Sequence, residues 1–233
     1  MIPEGFTLER VGAEGDPESF LELRRVDERA GTGVRCDLSR FSLRGGRAEA
    51  RAMPVVKAVG EARTVVDATA GLLGDSFLLA AAGCRVKAFE RSSVVFALAE
   101  DGLARARRDA RLAELVGDRI ELVHGDARAW LAAHVGAAEA PDAVVIDPMF
   151  PPKKKASALP RKEMVALREV VGSDVDAAEL LEAARKCARM RVALKRGDDA
   201  LELARPEWTI GGTTVRYDVW ATRTEGKGAR HVP

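Results

Sequence analysis

The stretch Thr64-Val65-Val66-Asp67-Ala68-Thr69-Ala70-Gly71-Leu72-Leu73-Gly74-Asp75 constrains the fold more tightly than any other part of the chain. Three β-branched residues, stiff at χ1 and suited to a pleated strand, run into an acid. Two glycines then permit a close backbone turn before residues 76–82, whose composition is helical. Strand, glycine loop and helix in that order form the opening unit of an α/β sheet. Such sheets bind ligands beyond the carboxyl ends of their strands, where loop amides and helix N-termini supply donors. Asp67, Ala68, Gly71, Gly74 and Asp75 are therefore candidate ligand contacts.

The spacing narrows the ligand. Gly71 and Gly74 are three apart and no G-x-G-x-x-G occurs, so the dinucleotide fingerprint is not met. A carboxylate opening the loop repels a pyrophosphate and suits a ligand carrying positive charge, such as S-adenosylmethionine. A glycine-rich turn that binds nothing is the competing reading of the loop taken alone.

Composition mostly excludes. With 233 residues, 47% of them hydrophobic, the chain can bury one good core. Its 37 basic and 36 acidic residues leave a net charge of +1, so any basic surface must be local. Cys36, Cys84 and Cys187 are widely separated, odd in number and without a C-x-x-C, which argues against a disulfide framework or a zinc knuckle and for a reducing, cytoplasmic setting. His124 and His134 have no partner at metal-ligand spacing, so no metal is expected. The first residues lack a basic region followed by an apolar run, and no segment approaches 18 uninterrupted apolar residues; the expectation is a chain neither exported nor membrane-spanning.

Residues 1–60 do not share the later strand-helix rhythm and are expected to form a small N-terminal lobe, a possible RNA-contacting cap. Pro17 to Arg29 is charge-rich with Phe20, Leu21, Leu23 and Val26 as its apolar side, and Val34 to Leu43 has the composition for a strand or two. Arg35, Arg40, Arg44, Arg47 and Arg51 crowd around Gly45-Gly46, a pattern that suits phosphate or simply a solvated face. Ala48 to Val59 is helical in composition, interrupted by Pro54. From residue 61 to 223 strands and helices alternate. Gly83 closes the first helix, and Cys84 to Glu90 reads as a second strand. Glu90 stands at its tip, 19 positions after Gly71, where α/β folds hydrogen-bond a ribose diol; a surface pair with Arg91 is the alternative. Ser92 or Ser93 caps a helix expected to reach about Arg111. Arg119 to His124 is a third strand, and Asp126, followed by Ala127, either accepts from an adenine amine or caps the helix from Arg128 to His134. Both roles stand open.

The fourth strand carries the sharpest signal. Ala143 to Ile146 is wholly apolar, as a buried parallel strand requires, and delivers Asp147-Pro148-Met149-Phe150-Pro151-Pro152 to the ligand edge. Such a loop suits chemistry on a planar amine: the Asp147 carboxylate and Pro148 carbonyl accept from an exocyclic NH2, and the Phe150 ring stacks on the base. Lys153, Lys154 and Lys155 follow, then Arg161 and Lys162 with no acid between, a local basic patch fit to grip phosphates. Glu163 to Val170 and Asp176 to Arg189 are helical, Val192 to Lys195 is a fifth strand, and Trp208 to Ala221 reads as an antiparallel hairpin. Residues 224–233 form a polar tail expected to be disordered.

An alternating, mostly parallel sheet with an acid-bearing glycine loop, an acid ending the second strand, D-P-x-F after the fourth and a terminal antiparallel hairpin resembles the Rossmann-like class I S-adenosylmethionine-dependent methyltransferases. Asp67-Ala68-Thr69-Ala70-Gly71, Phe89-Glu90-Arg91, Asp147-Pro148-Met149-Phe150-Pro151, Lys162-Glu163-Met164 and Val192-Ala193-Leu194-Lys195-Arg196 narrow the resemblance to the bacterial RsmJ family, guanine-N2 methyltransferases of 16S small-subunit ribosomal RNA. Leu21 to Arg24, Gly45 to Arg47 and Lys57 to Gly60 extend it into the N-terminal lobe. The resemblance implies S-adenosylmethionine held by Gly74-Asp75, Glu90-Arg91, Asp126-Ala127 and Asp147, with 16S rRNA or the small ribosomal subunit as partner. Arg47, Lys153, Lys154, Lys155, Arg161 and Lys162 are the candidate RNA contacts, and Asp147, Pro148 and Phe150 the candidate catalytic groups. Two positions depart from the family pattern. Its loop continues A-G-L-G-[RK]-D, whereas this chain has Ala70-Gly71-Leu72-Leu73-Gly74-Asp75, and Asp126-Ala127 stands where the family often has a serine pair. The same fold acting on DNA adenine or a protein glutamine, a nicotinamide-dependent oxidoreductase, and a non-catalytic RNA-binding protein are the competing functions.

Overall fold

A computed structural model describes residues 2–13, 16–149, 162–172, 176–197, 202–211 and 215–222. The strands are β1 (Phe6–Val11), β2 (Phe20–Arg25), β3 (Thr64–Asp67), β4 (Arg85–Glu90), β5 (Ile120–His124), β6 (Ala143–Ile146), β7 (Arg191–Gly197), β8 (Trp208–Gly211) and β9 (Val215–Ala221). The helices are α1 (Gly46–Arg51), α2 (Pro54–Val59), α3 (Gly74–Ala82), α4 (Ser93–Arg108), α5 (Ala110–Val116), α6 (Ala127–Ala133), α7 (Lys162–Val171) and α8 (Ala177–Cys187). Among the described residues no helix is long and apolar enough to cross a membrane.

Seven strands form the main sheet in the order β5-β4-β3-β6-β7-β9-β8, parallel except for β9, which runs antiparallel to both its neighbours. Period-two alternation sorts the side chains onto two faces. Val65, Val145, Ala193 and Val219 join the core beneath α2, α3 and α5, while Val66, Val144, Val192 and Trp220 join the one beneath α6 and α8. Burial on both faces explains why β6 is apolar without a break. Chain direction reverses its spread at the β3/β6 boundary, and the site forms there.

The region 1–60, expected as one lobe, divides its packing between two places. Only β1 and β2, an antiparallel pair extended by a bridge from Leu23 to Val34, form a separate small sheet. Cys36, Leu38, Ala50, Val55, Ala58 and Val59 pack into the main core with α3 and the sheet, so residues 36–60 form a layer of the central domain. The stretch Pro17–Arg29 contains strand β2, in which Glu22 and Leu23 are buried, whereas Val26 is 64% exposed. Glu22 is held by the amides of Gly31 and Gly33, each at 2.9 Å, and a buried carboxylate so bonded overrides the apolar pattern. Residues 34–43 yield only that bridge and a 3-10 turn at Leu38–Arg40. Pro54 behaves as its chemistry demands, opening α2 at its first turn. The helix expected to reach Arg111 stops at Arg108 because Asp109 adopts an extended backbone and caps α5, accepting from the Leu112 amide at 2.9 Å. Residues 224–233 lie outside the described part.

Candidate active site

Five parallel strands deliver their C-terminal residues to one edge: Asp67 from β3, Glu90 from β4, Asp126 just after β5, Asp147 just after β6, and Lys195 within β7, one residue past the Leu194 that pairs Ile146. Ala68 donates to the Val145 carbonyl at 2.9 Å and Ala70 to that of Phe89 at 2.8 Å, so the glycine loop begins fastened to strands on both sides.

The loop turns at Gly71, whose φ is 52°, and at Leu73, whose φ is 63°. Leu73 is the only non-glycine with positive φ among the described residues, and it is fully buried. Left-handed backbone costs an L-residue roughly 1–2 kcal/mol, so the shifted glycine of the sequence has a physical meaning. The conformation that favours glycine sits at position 73, where this chain has leucine and the family pattern has glycine. Gly74 opens α3 beside the Phe41 ring, which stacks on Phe77 with centroids 5.2 Å apart.

Asp67, placed by the sequence among the candidate ligand contacts, is bonded within the loop. Asp67 is buried, accepting from the Ser76 hydroxyl at 2.6 Å and the Thr69 amide at 3.2 Å, so it shapes the loop from beneath. Burial pushes its carboxyl up to about 7 against the lowering effect of Ser76. Ala68, also buried, is likewise part of the loop's support. Glu90 braces the loop from the side, accepting the Gly71 amide at 3.0 Å and the Ser92 amide at 2.7 Å.

Asp126 caps α6 through the Arg128 amide at 2.9 Å and pairs with the Arg128 guanidinium at 2.6 Å. Those hydrogen bonds hold its carboxyl below the usual carboxylate range. Of the two roles left open for it, capping is the one visible here. Ala127 is buried as the first residue of that helix. Arg128 and Arg91 both reach Asp176 at 2.8 Å, joining the ends of β4 and β5 to the start of α8.

At the target edge Asp147 is exposed, with its amide on the Thr69 hydroxyl at 2.6 Å and its carboxylate on Lys195 Nζ at 2.8 Å. Lys195 also donates to Asp75 at 3.1 Å, and the Tyr217 hydroxyl donates to the same Asp75 oxygen at 3.0 Å. Burial works to discharge Lys195, but Asp147 and Asp75 outweigh it and raise its pKa. Burial, then Asp75, raises that of Tyr217. Pro148 is buried beside Asp147. Phe150, Lys153, Lys154, Lys155 and Arg161 lie outside the described residues, as does the side chain of Lys162, which begins α7. Arg47 lies by Gly83, at the end of α3 remote from the loop, so it is not gathered with the other candidates.

Sequence reasoning passed over Ser76, Thr69, Asp176, Lys195 and Tyr217 as site groups. Lys195 alone had a signal, a charge directly after the apolar run Val192–Leu194, the same pattern that marks Asp147. Acids at four strand ends and an open Gly71 fit a cationic, ribose-bearing cofactor.

The chain resembles known proteins over most of its length. Residues 15–222 match a family described as "Putative SAM-dependent methyltransferase". The chain is 47% identical over 189 residues to ribosomal RNA small subunit methyltransferase J of Thioalkalivibrio sulfidiphilus, covering 78% of this chain and 73% of that one. It is 43% identical over 208 residues to the protein of that name from Aeromonas hydrophila, covering 86% and 82%. A crystal structure of a SAM-dependent methyltransferase from Neisseria gonorrhoeae superposes with a TM-score of 0.67 at 31% identity, covering 91% of this chain and 84% of the other.

Proposed function

This chain belongs to the ribosomal RNA small subunit methyltransferase J family, and from that premise we propose that it methylates the exocyclic N2 amine of one guanosine in 16S rRNA. It is an S-adenosylmethionine-dependent rRNA methyltransferase of the Rossmann-like class. The bound cofactor supplies the methyl group. Glu90 would hold the ribose hydroxyls, and Gly71, Gly74, Asp75, Arg91, Asp126 and Ala127 would supply the other cofactor contacts.

The observation that carries the reading is the placement of Asp147, exposed at the target edge yet fixed by Thr69 and Lys195 beside the glycine loop. A guanine amine is a poor nucleophile because its lone pair is delocalised into the ring, so positioning must supply much of the rate. Asp147 and the Pro148 carbonyl accept the amine hydrogens and stabilise the positive charge that grows on nitrogen, while Phe150 stacks on the extruded base. Proton loss follows methyl transfer, so no separate strong base is needed. The lysines at 153–155, with Arg161 and Lys162, hold backbone phosphates, and a cytoplasmic setting follows from the substrate.

The test is transfer of labelled methyl from S-adenosylmethionine to small-subunit rRNA, offered naked and as assembled subunits, with nucleoside analysis of the product. N2-methylguanosine is expected, and Asp147→Ala should abolish it. Label recovered in adenosine, in protein or nowhere overturns the reading.

A further inference from the structure

Asp147, Lys195 and Tyr217 stand on adjacent strands at the carboxyl edge of the sheet: Ile146 pairs Leu194, and Lys195 pairs Tyr217. Asp75, in the first turn of α3, meets Lys195 and Tyr217 directly. The Lys195 ammonium bonds to both carboxylates, at 2.8 Å and 3.1 Å, and so ties the glycine-loop helix to the target strand. Its side chain is 23% exposed and that of Asp75 14%, so the pair with Asp75 is sheltered from solvent, while Asp147 at 44% stays open to the target edge. Three donors sit on an ammonium, and two of them are spent on these acids.

We propose that Lys195 is a positioning residue for methyl transfer, acting through Asp147. This rests on the function proposed above. Without the ammonium, Asp147 and Asp75 would repel one another, and the Asp147 carboxylate would leave the direction in which it accepts the target amine. Misplacement of this kind can cost about 100-fold in rate. The charged and titratable groups around the pair are Asp75 on α3, Asp67 beneath it at the end of β3, and Tyr217 on β9. Removing the ammonium bonded to the Asp147 carboxylate takes away a charge that favours its ionised form, so the acid limb of the rate profile should move to higher pH. Loss of packing alone would not move that limb.

The experiment compares wild type with Lys195→Met and Lys195→Arg in full-length protein. It measures kcat on small-subunit rRNA from pH 5 to 9, S-adenosylmethionine affinity by calorimetry, and thermal unfolding; Lys195→Gln replaces Lys195→Met if that variant does not fold. The expected result is a kcat lower by about 100-fold in the neutral variant, an acid limb displaced upward, cofactor affinity within about threefold of wild type, and a wild-type limb restored by Lys195→Arg. A neutral variant with unchanged kcat and limb, or with a defect confined to cofactor affinity, overturns the proposal alone. A wild-type protein that transfers no methyl overturns the functional reading and this proposal with it.

Discussion

The carboxylate of Glu90 accepts the backbone amide of Gly71 at 3.0 Å, so the last residue of β4 holds the turn of the glycine loop as well as the place of a ribose acid. On the proposed function, ligand contact and loop support fall to the same side chain. Glu90→Gln keeps the volume but presents an amide to one of two amide donors. The expected result is an S-adenosylmethionine Kd raised at least tenfold, with a melting temperature lower by a few degrees, because a buried donor left unpaired costs about 1–3 kcal/mol. Calorimetric titration and a thermal scan check both.

Leu73 gives an inverted mutational order. In ordinary helical positions Gly is less stable than Ala by up to about 1 kcal/mol. At Leu73 the φ of 63° penalises Ala and not Gly. Both variants lose a buried leucine, at about 2–5 kcal/mol. Leu73→Gly should nevertheless be at least as stable as Leu73→Ala in urea unfolding, and a glycine variant clearly the weaker of the two would refute the strain.

Asp67 makes stability depend on pH in a stated direction. Its folded carboxyl titrates at about 7 against an ordinary 3.8, so its contribution is complete below about pH 4 and is lost as pH rises toward 7. Asn at this position cannot titrate. The stability of wild type minus that of Asp67→Asn should fall across pH 4–7, by up to about 1.4 kcal/mol per pH unit, and level off above it. Urea midpoints at pH 5, 6, 7 and 8 decide this; parallel curves would count against a buried, proton-holding Asp67.

Replacing Lys153, Lys154 and Lys155 by Ala should weaken RNA binding and flatten its salt dependence, lowering the log–log slope by about 2 if each lysine neutralises one phosphate of single-stranded RNA. Asp147→Ala should leave that affinity and slope nearly intact. Equal loss in both variants, read by filter binding at several salt concentrations, would end this division of labour.

What the sequence determined by itself was whatever local chemistry encodes. The apolar run at 143–146 reads as a strand buried on both faces, Pro54 interrupts the helical run at 48–59, and acids placed after strand runs put Glu90 and Asp147 on one edge. The tertiary structure decided what long-range pairing controls. Glu22 sits in a strand because the amides of Gly31 and Gly33 bond to it, and residues 36–60 belong to the central core because Cys36, Leu38 and Val55 find apolar partners on α3 and the sheet. Asp67 turns inward because Ser76 waits beneath it. Lys195 and Tyr217 reach Asp75 across 120 and 142 positions of sequence, a meeting set by strand order and register, which no local pattern records.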